Sequence, residues 1–153
     1  MPYIGRDPNI TFTYTTGTAT GDNTTTAFTI NSGRTVNDTL VYVNGFLLTP
    51  TNDYTISGTT LTFVTAPATS AEIVYRYLPV SVGSVYSNQT ATGDNSTTAF
   101  TINSGRTVED VIVTVNGVTL VPATDYSISG TTLTFATAPA TSAEISIRYL
   151  RLN

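Results

Sequence analysis

Apolar and polar positions alternate along this chain in short runs, and Gly, Pro, Asn and Asp punctuate them every few residues. The runs are rich in Thr, Val, Ile, Tyr and Phe, the β-branched and aromatic types that pack on a pleated surface. No window sustains a helical period for more than a turn. The pattern predicts strands near Thr25–Ile30, Thr39–Val43, Phe46–Thr49, Asp53–Ile56, Thr59–Val64 and Glu72–Leu78.

Two turns set how these strands pair. In "VYVNGFLL", Asn44-Gly45 separates two apolar runs, and a type I′ turn needs positive φ at both of its central residues. That loop pairs Val43 with Phe46, Tyr42 with Leu47 and Val41 with Leu48, so Val41, Val43, Phe46 and Leu48 share a face. In "DYTISGTTLTF", Ser57-Gly58 is the expected turn, pairing Ile56 with Thr59 and Tyr54 with Leu61. Tyr54, Ile56, Leu61 and Phe63 then share a face. The last strand turns Ile73, Tyr75 and Tyr77 inward and Arg76 outward. A slip of one residue would scatter each apolar side. The expectation is a small antiparallel β-sandwich, immunoglobulin-like in architecture.

The same passage is written twice. "ATGDNTTTAFTINSGRTV" begins at Ala19 and "ATGDNSTTAFTINSGRTV" at Ala91; an offset of 72 aligns Ala19–Leu78 with Ala91–Leu150. Of these 60 positions 14 differ, leaving 46 identical. The turn residues Asn44, Gly45 and Gly58 recur as Asn116, Gly117 and Gly130. The segment "PVSVGSVYSNQT" (Pro79–Thr90) joins the aligned blocks, but Tyr14 and Tyr86 also match, so each unit begins a little earlier. The chain is therefore expected to be all-β: an N-terminal arm at 1–13, one sandwich at 14–78, a linker at 79–85 and a second sandwich at 86–153. Two copies are too few for a solenoid.

A unit of about 65 residues buries only about 60% of its chain surface and is marginal alone. Packing of copy on copy, or self-association into a homo-oligomer such as a trimer, is expected.

Identity between copies can reflect duplication alone, so the differences carry more. Tyr42 and Leu47, cross-strand partners on the outer face of the first hairpin, become Thr114 and Thr119 together, and Val74 becomes Ser146. Copy 1 thus carries an outward apolar patch that copy 2 lacks. Either copy 1 docks onto a partner while copy 2 projects, or the arm, with Tyr3, Ile4, Ile10 and Phe12, covers the patch. The candidate docking surface is Tyr3, Ile4, Arg6, Tyr42, Leu47 and Val74.

Composition excludes most chemistry. Cys, His, Lys and Trp are absent. That removes thiol and Ser–His–Asp nucleophiles, a Cys/His zinc site, a Schiff-base lysine and a P-loop. Asp22, Asp38, Asp53 and Glu72 recur as Asp94, Asp110, Asp125 and Glu144, mostly at turns and strand starts. A glycosidase needs two carboxylates flanking a cleft, and so small a sandwich has little room for one. "TGDN" supplies one carboxylate where a calcium loop needs five or more oxygen ligands. Arg34 and Arg106, each after a Gly turn in "NSGRTV", suit a bond to a neighbouring carboxylate or loop carbonyl. No catalytic, cofactor or metal site is expected.

The net charge of −4 opposes a nucleic-acid partner. Only 10% of residues are charged while 34 of 153 are Thr, a polar, nearly uncharged surface suited to a dense assembly. No stretch is long and apolar enough for a transmembrane helix, and "MPYIGRDPNI" lacks the basic and apolar regions of a signal peptide, so the chain is expected to fold where it is made.

The opening "MPYIGR" resembles the start of many short virion and tail-fibre proteins of tailed phages, particularly those of marine bacteria and cyanobacteria. "VYVNGFLLTPTNDYTISGTTLTFVTAPATSAEIVYRYL" (Val41–Leu78) resembles a module recurrent in such proteins, with Asn44, Gly45, Pro50, Asp53, Tyr54, Gly58 and Pro67 among the shared marks. The second copy repeats them at 116, 117, 122, 125, 126, 130 and 139. The resemblance implies a non-enzymatic component at a virion surface: a short tail fibre, appendage or adaptor anchored by its arm and first module. The alternatives are a capsid decoration protein and an adhesion module for host surface glycans. Tail fibres usually continue into a long shaft, and neither heptads nor a shaft repeat is present here, which leaves a short tail or collar appendage, an adaptor holding a fibre, or a capsid decoration protein. Its partners would be tail, collar or capsid proteins.

Overall fold

Asn44 (φ 51°) and Gly45 (φ 83°) both take left-handed backbone, as a type I′ turn demands. The hairpin closes in the expected register, Tyr42 opposite Leu47 and Val43 opposite Phe46. The Asn44 side chain also accepts a hydrogen bond from the Glu72 amide at 2.9 Å, tying the turn to the neighbouring strand. Asn116 and Gly117 repeat this geometry in the second copy.

The computed structural model describes residues 15–79 and 86–150. The expected arm at 1–13 and residues 80–85 of the expected linker lie outside them. Copy 1 contains β1 (Thr15–Thr20), β2 (Ala27–Thr29), β3 (Thr39–Val43), β4 (Phe46–Leu47), β5 (Tyr54–Ser57), β6 (Thr60–Phe63) and β7 (Glu72–Tyr77). Copy 2 repeats them as β8 (Ser87–Thr92), β9 (Ala99–Thr101), β10 (Val111–Val115), β11 (Val118–Thr119), β12 (Tyr126–Ser129), β13 (Thr132–Phe135) and β14 (Glu144–Tyr149). In each copy four strands form one antiparallel sheet, ordered β1-β7-β3-β4 in copy 1, and three form the other, β2-β6-β5.

The chain is thus all-β, with two tandem sandwich modules. Seven strands split four and three match the immunoglobulin-like architecture, but β1 pairs with β7 rather than β2, so the strand order is not that of an immunoglobulin domain.

Three expectations change in detail. First, Ser57 pairs with Thr60, so the second turn is Gly58-Thr59, with Gly58 at φ 59°. A type II′ turn asks positive φ of its first central residue only, and Gly supplies it where Ser57 would be strained. Gly130 does the same in copy 2. Ile56 now faces Leu61 and Tyr54 faces Phe63, a shift of two that leaves every side chain on its expected face. Second, Phe46 is 52% exposed, because it ends the hairpin beyond the sandwich while Val41, Val43 and Leu48 reach the core. Third, β1 and β8 were not legible in the pattern. "TTGTAT" carries almost no apolar alternation and is a strand because all six of its residues pair with β7.

Each module has its own core. In copy 1 Val41, Tyr54, Leu61, Ile73, Tyr75 and Tyr77 meet between the sheets, and Phe28 lies edge-on to Phe63 at 5.5 Å. Gly21 lets backbone pass backbone: a Cβ there would sit 2.3 Å from the Ala68 carbonyl oxygen, and Gly93 repeats this at 2.4 Å from Ala140.

Candidate functional site

Strand alternation in β14 sends Ile145, Ile147 and Tyr149 into the copy 2 core and Glu144, Ser146 and Arg148 to the other face. That face meets an edge of copy 1. Arg148 is 4% exposed, and its guanidinium donates through Nη2 to the Tyr54 hydroxyl at 2.6 Å and through Nη1 to the Thr39 carbonyl at 3.0 Å. The Tyr54 hydroxyl donates in turn to the same Thr39 carbonyl at 2.9 Å. Tyr54 starts β5 facing inward, and its ring is long enough to carry the hydroxyl across to the start of β3.

Two further bonds widen the junction. The Leu47 amide donates to the Gly117 carbonyl at 3.1 Å, bringing β4 beside β11. The Asn52 amide donates to Glu144 Oε1 at 2.6 Å. Copy 1 contributes its β3–β5 edge and copy 2 its sheet face, so the two partners use different surfaces.

A buried guanidinium is costly unless its donors are met. Here neutral oxygens meet it: a carbonyl and a phenol. Burial pushes the Tyr54 hydroxyl above its ordinary range, while the charge of Arg148 pulls it down and Asp53 and Asp38 push it up. Among the described residues Arg148 Nε has no hydrogen-bond partner.

The expected docking residues divide. Leu47 is buried, and its backbone bonds copy 2. Tyr42 stands opposite both Leu47 and Val74, and Tyr42 and Val74 are half-buried. Tyr3, Ile4 and Arg6 lie outside the described residues. The differences between copies concentrate at the junction. Thr49 is 1% exposed and its counterpart Val121 is 56% exposed. Leu47 is buried and Thr119 exposed; Thr114 and Ser146 are buried where Tyr42 and Val74 are half-buried. Sequence reasoning missed Arg148 and Tyr54, because both recur unchanged, as Arg76 and Tyr126, and so left no difference to read. Asn52, which is Thr124 in copy 2, was a legible signal.

Other sequence candidates are absorbed locally. The Asp22 carboxylate accepts from the Thr24 amide, the Thr25 amide and the Thr25 hydroxyl at 2.6–2.8 Å, and these bonds hold it well below the usual carboxylate range. Asp94 repeats this. Asp53 accepts from the Thr49 amide at 2.7 Å. Arg34 donates to the Leu78 carbonyl at 2.9 Å and lies 4.8 Å above the Tyr77 ring; Arg106 donates to Leu150. Among the described residues no three acidic, His or Cys side chains gather into a metal-ligand set. A shallow groove lined by Val43, Leu48, Phe63 and Pro67 recurs in copy 2 at Val115, Leu120, Phe135 and Pro139. Compared with known proteins, the chain matches no family model and no curated sequence.

Proposed function

We propose that this chain is a non-enzymatic building component of a tailed-phage particle, a short appendage or adaptor protein. The observation that carries the reading is the junction: the two copies of a duplicated sandwich are joined through a buried arginine. The resemblance of Val41–Leu78 and its repeat to a module of phage virion and tail-fibre proteins supplies the setting. The sparse charge of the surface supports a role in a packed assembly. Its partners in this reading are other particle proteins.

The test is the copy number of the protein per purified particle, measured by quantitative proteomics against the major capsid protein. A count far below that of the capsid protein supports a tail or collar appendage. A count in step with capsid symmetry moves the protein to the head, as a decoration protein. Absence from particles overturns the reading.

A further inference from the structure

The contact between the copies pairs two different surfaces, and the chain carries each surface twice. The face of copy 2 is used, but the equivalent face of copy 1 points outward with Arg76 exposed. The edge of copy 1 is used, but on the equivalent edge of copy 2, although β11 already lies beside β4, Val121 is 56% exposed where Thr49 is 1% exposed, and Thr119 is exposed where Leu47 is buried. At that edge the Tyr126 hydroxyl donates to the Val108 carbonyl at 3.3 Å, whereas in the filled socket the Tyr54 hydroxyl donates to the Thr39 carbonyl at 2.9 Å, with the Val36 carbonyl 3.4 Å away. What copy 2 lacks is the arginine.

We propose that the chain associates head to tail with further copies of itself, Arg76 of one molecule entering the Tyr126 socket of the next. The socket's acceptors are a backbone carbonyl and a tyrosine hydroxyl, so their chemistry survives the differences between copies. The differences that do fall on these surfaces compensate. Within the chain, the edge carries Leu47 and Thr49 and the face carries Thr114 and Ser146. Between chains, the edge would carry Thr119 and Val121 and the face Tyr42 and Val74. Bulk lost at 119 is regained at Tyr42, and Val121 meets an apolar face where Thr49 meets a polar one. Glu72 finds Thr124, a shorter donor, where Glu144 finds Asn52. A contact of this kind, between unlike surfaces, grows into a ring where its rotation closes and into a filament where it does not. Tyr42 and Val74, the part of the copy 1 patch that the junction leaves half-buried, thereby acquire an occupant, a second copy, chosen by continuity with the junction already present.

Sedimentation velocity of the full chain over a wide concentration range tests this. The expected result is an average mass that rises with concentration. Arg76→Ala, which kills the face, and Val121→Asp, which kills the edge, each weaken association about 10- to 100-fold, the usual cost of a charged hydrogen bond or an exposed charge in a contact. Both positions are exposed, so unchanged circular dichroism and melting verify that the variants fold. Each variant keeps one live surface, so mixing the two yields a one-to-one pair and nothing larger. A parent chain that is monomeric throughout overturns the proposal. So does a closed dimer that Val121→Asp leaves intact, or assembly indifferent to both substitutions. A monomeric chain that is nevertheless present in particles would remove this contact and leave the virion reading standing; an associating chain absent from particles would do the reverse.

Discussion

Arg148 and Tyr54 form a hydrogen bond of 2.6 Å across the two copies, while Arg76, the counterpart of Arg148 at the same strand position, lies exposed. One residue type in one local structure thus has two environments, and the difference comes from what the other copy places beside it.

Arg148→Ala removes the donors to Thr39 and Tyr54 and leaves the junction with the Leu47–Gly117 and Asn52–Glu144 bonds. The expected loss is about 1.5–3 kcal/mol for each charged hydrogen bond broken. Arg76→Ala, at an exposed position, is expected to stay within about 0.5 kcal/mol of the parent. Urea unfolding of both variants checks this, and the Arg148 variant is also expected to lose its single cooperative transition as the modules uncouple.

Gly21→Ala and Gly93→Ala are expected to unfold their modules or to cost more than about 4 kcal/mol, the range reserved for severe steric or packing faults. The new Cβ would stand 2.3 or 2.4 Å from a carbonyl oxygen of rigid backbone. Gly33→Ala, where a Cβ meets nothing within 4 Å and only the positive φ is at issue, should be far milder. Thermal melting of the three variants gives the order.

Tyr75 buries its hydroxyl in the copy 1 core, where among the described residues it has no hydrogen-bond partner, and copy 2 has Ile147 in its place. Tyr75→Phe deletes the unmet polar group and keeps the ring, so it should stabilise by about 1 kcal/mol. A lower urea midpoint than the parent would mean the hydroxyl is bonded after all.

Burial pushes the Tyr75 phenol up to about 12 and raises Tyr54 as well. A raised folded-state value means the folded chain holds protons that the unfolded chain releases from the ordinary value of 10.0 upward. This contribution is therefore fully present below pH 10 and is lost as pH rises toward 12. Asp22 and Asp94 act at the other end. Their lowered values stabilise above the ordinary 3.8, and that contribution disappears only as pH falls well below it. Urea midpoints across pH should hold steady between these limits and fall on the alkaline side, less steeply in Tyr75→Phe.

Local rules made much of this molecule readable in advance. Asn44-Gly45 and its repeat dictate a hairpin register because few residues tolerate two positive φ angles in succession. The alternation of Ile73, Tyr75 and Tyr77 with Arg76 puts the core on one side of β7, because strand side chains reverse at every residue. The repeat itself declares two modules. Tertiary structure decided the rest. "TTGTAT" became β1 only because β7 offered an unpaired edge, which a Thr-rich run cannot announce. Phe46 lies outside the core because the sandwich ends one residue short of it. The fates of Arg76 and Arg148 diverge although both copies read "RYL", because burial belongs to the surface that arrives opposite a residue, and no spacing within the repeat encodes which copy is docked upon and which is left open.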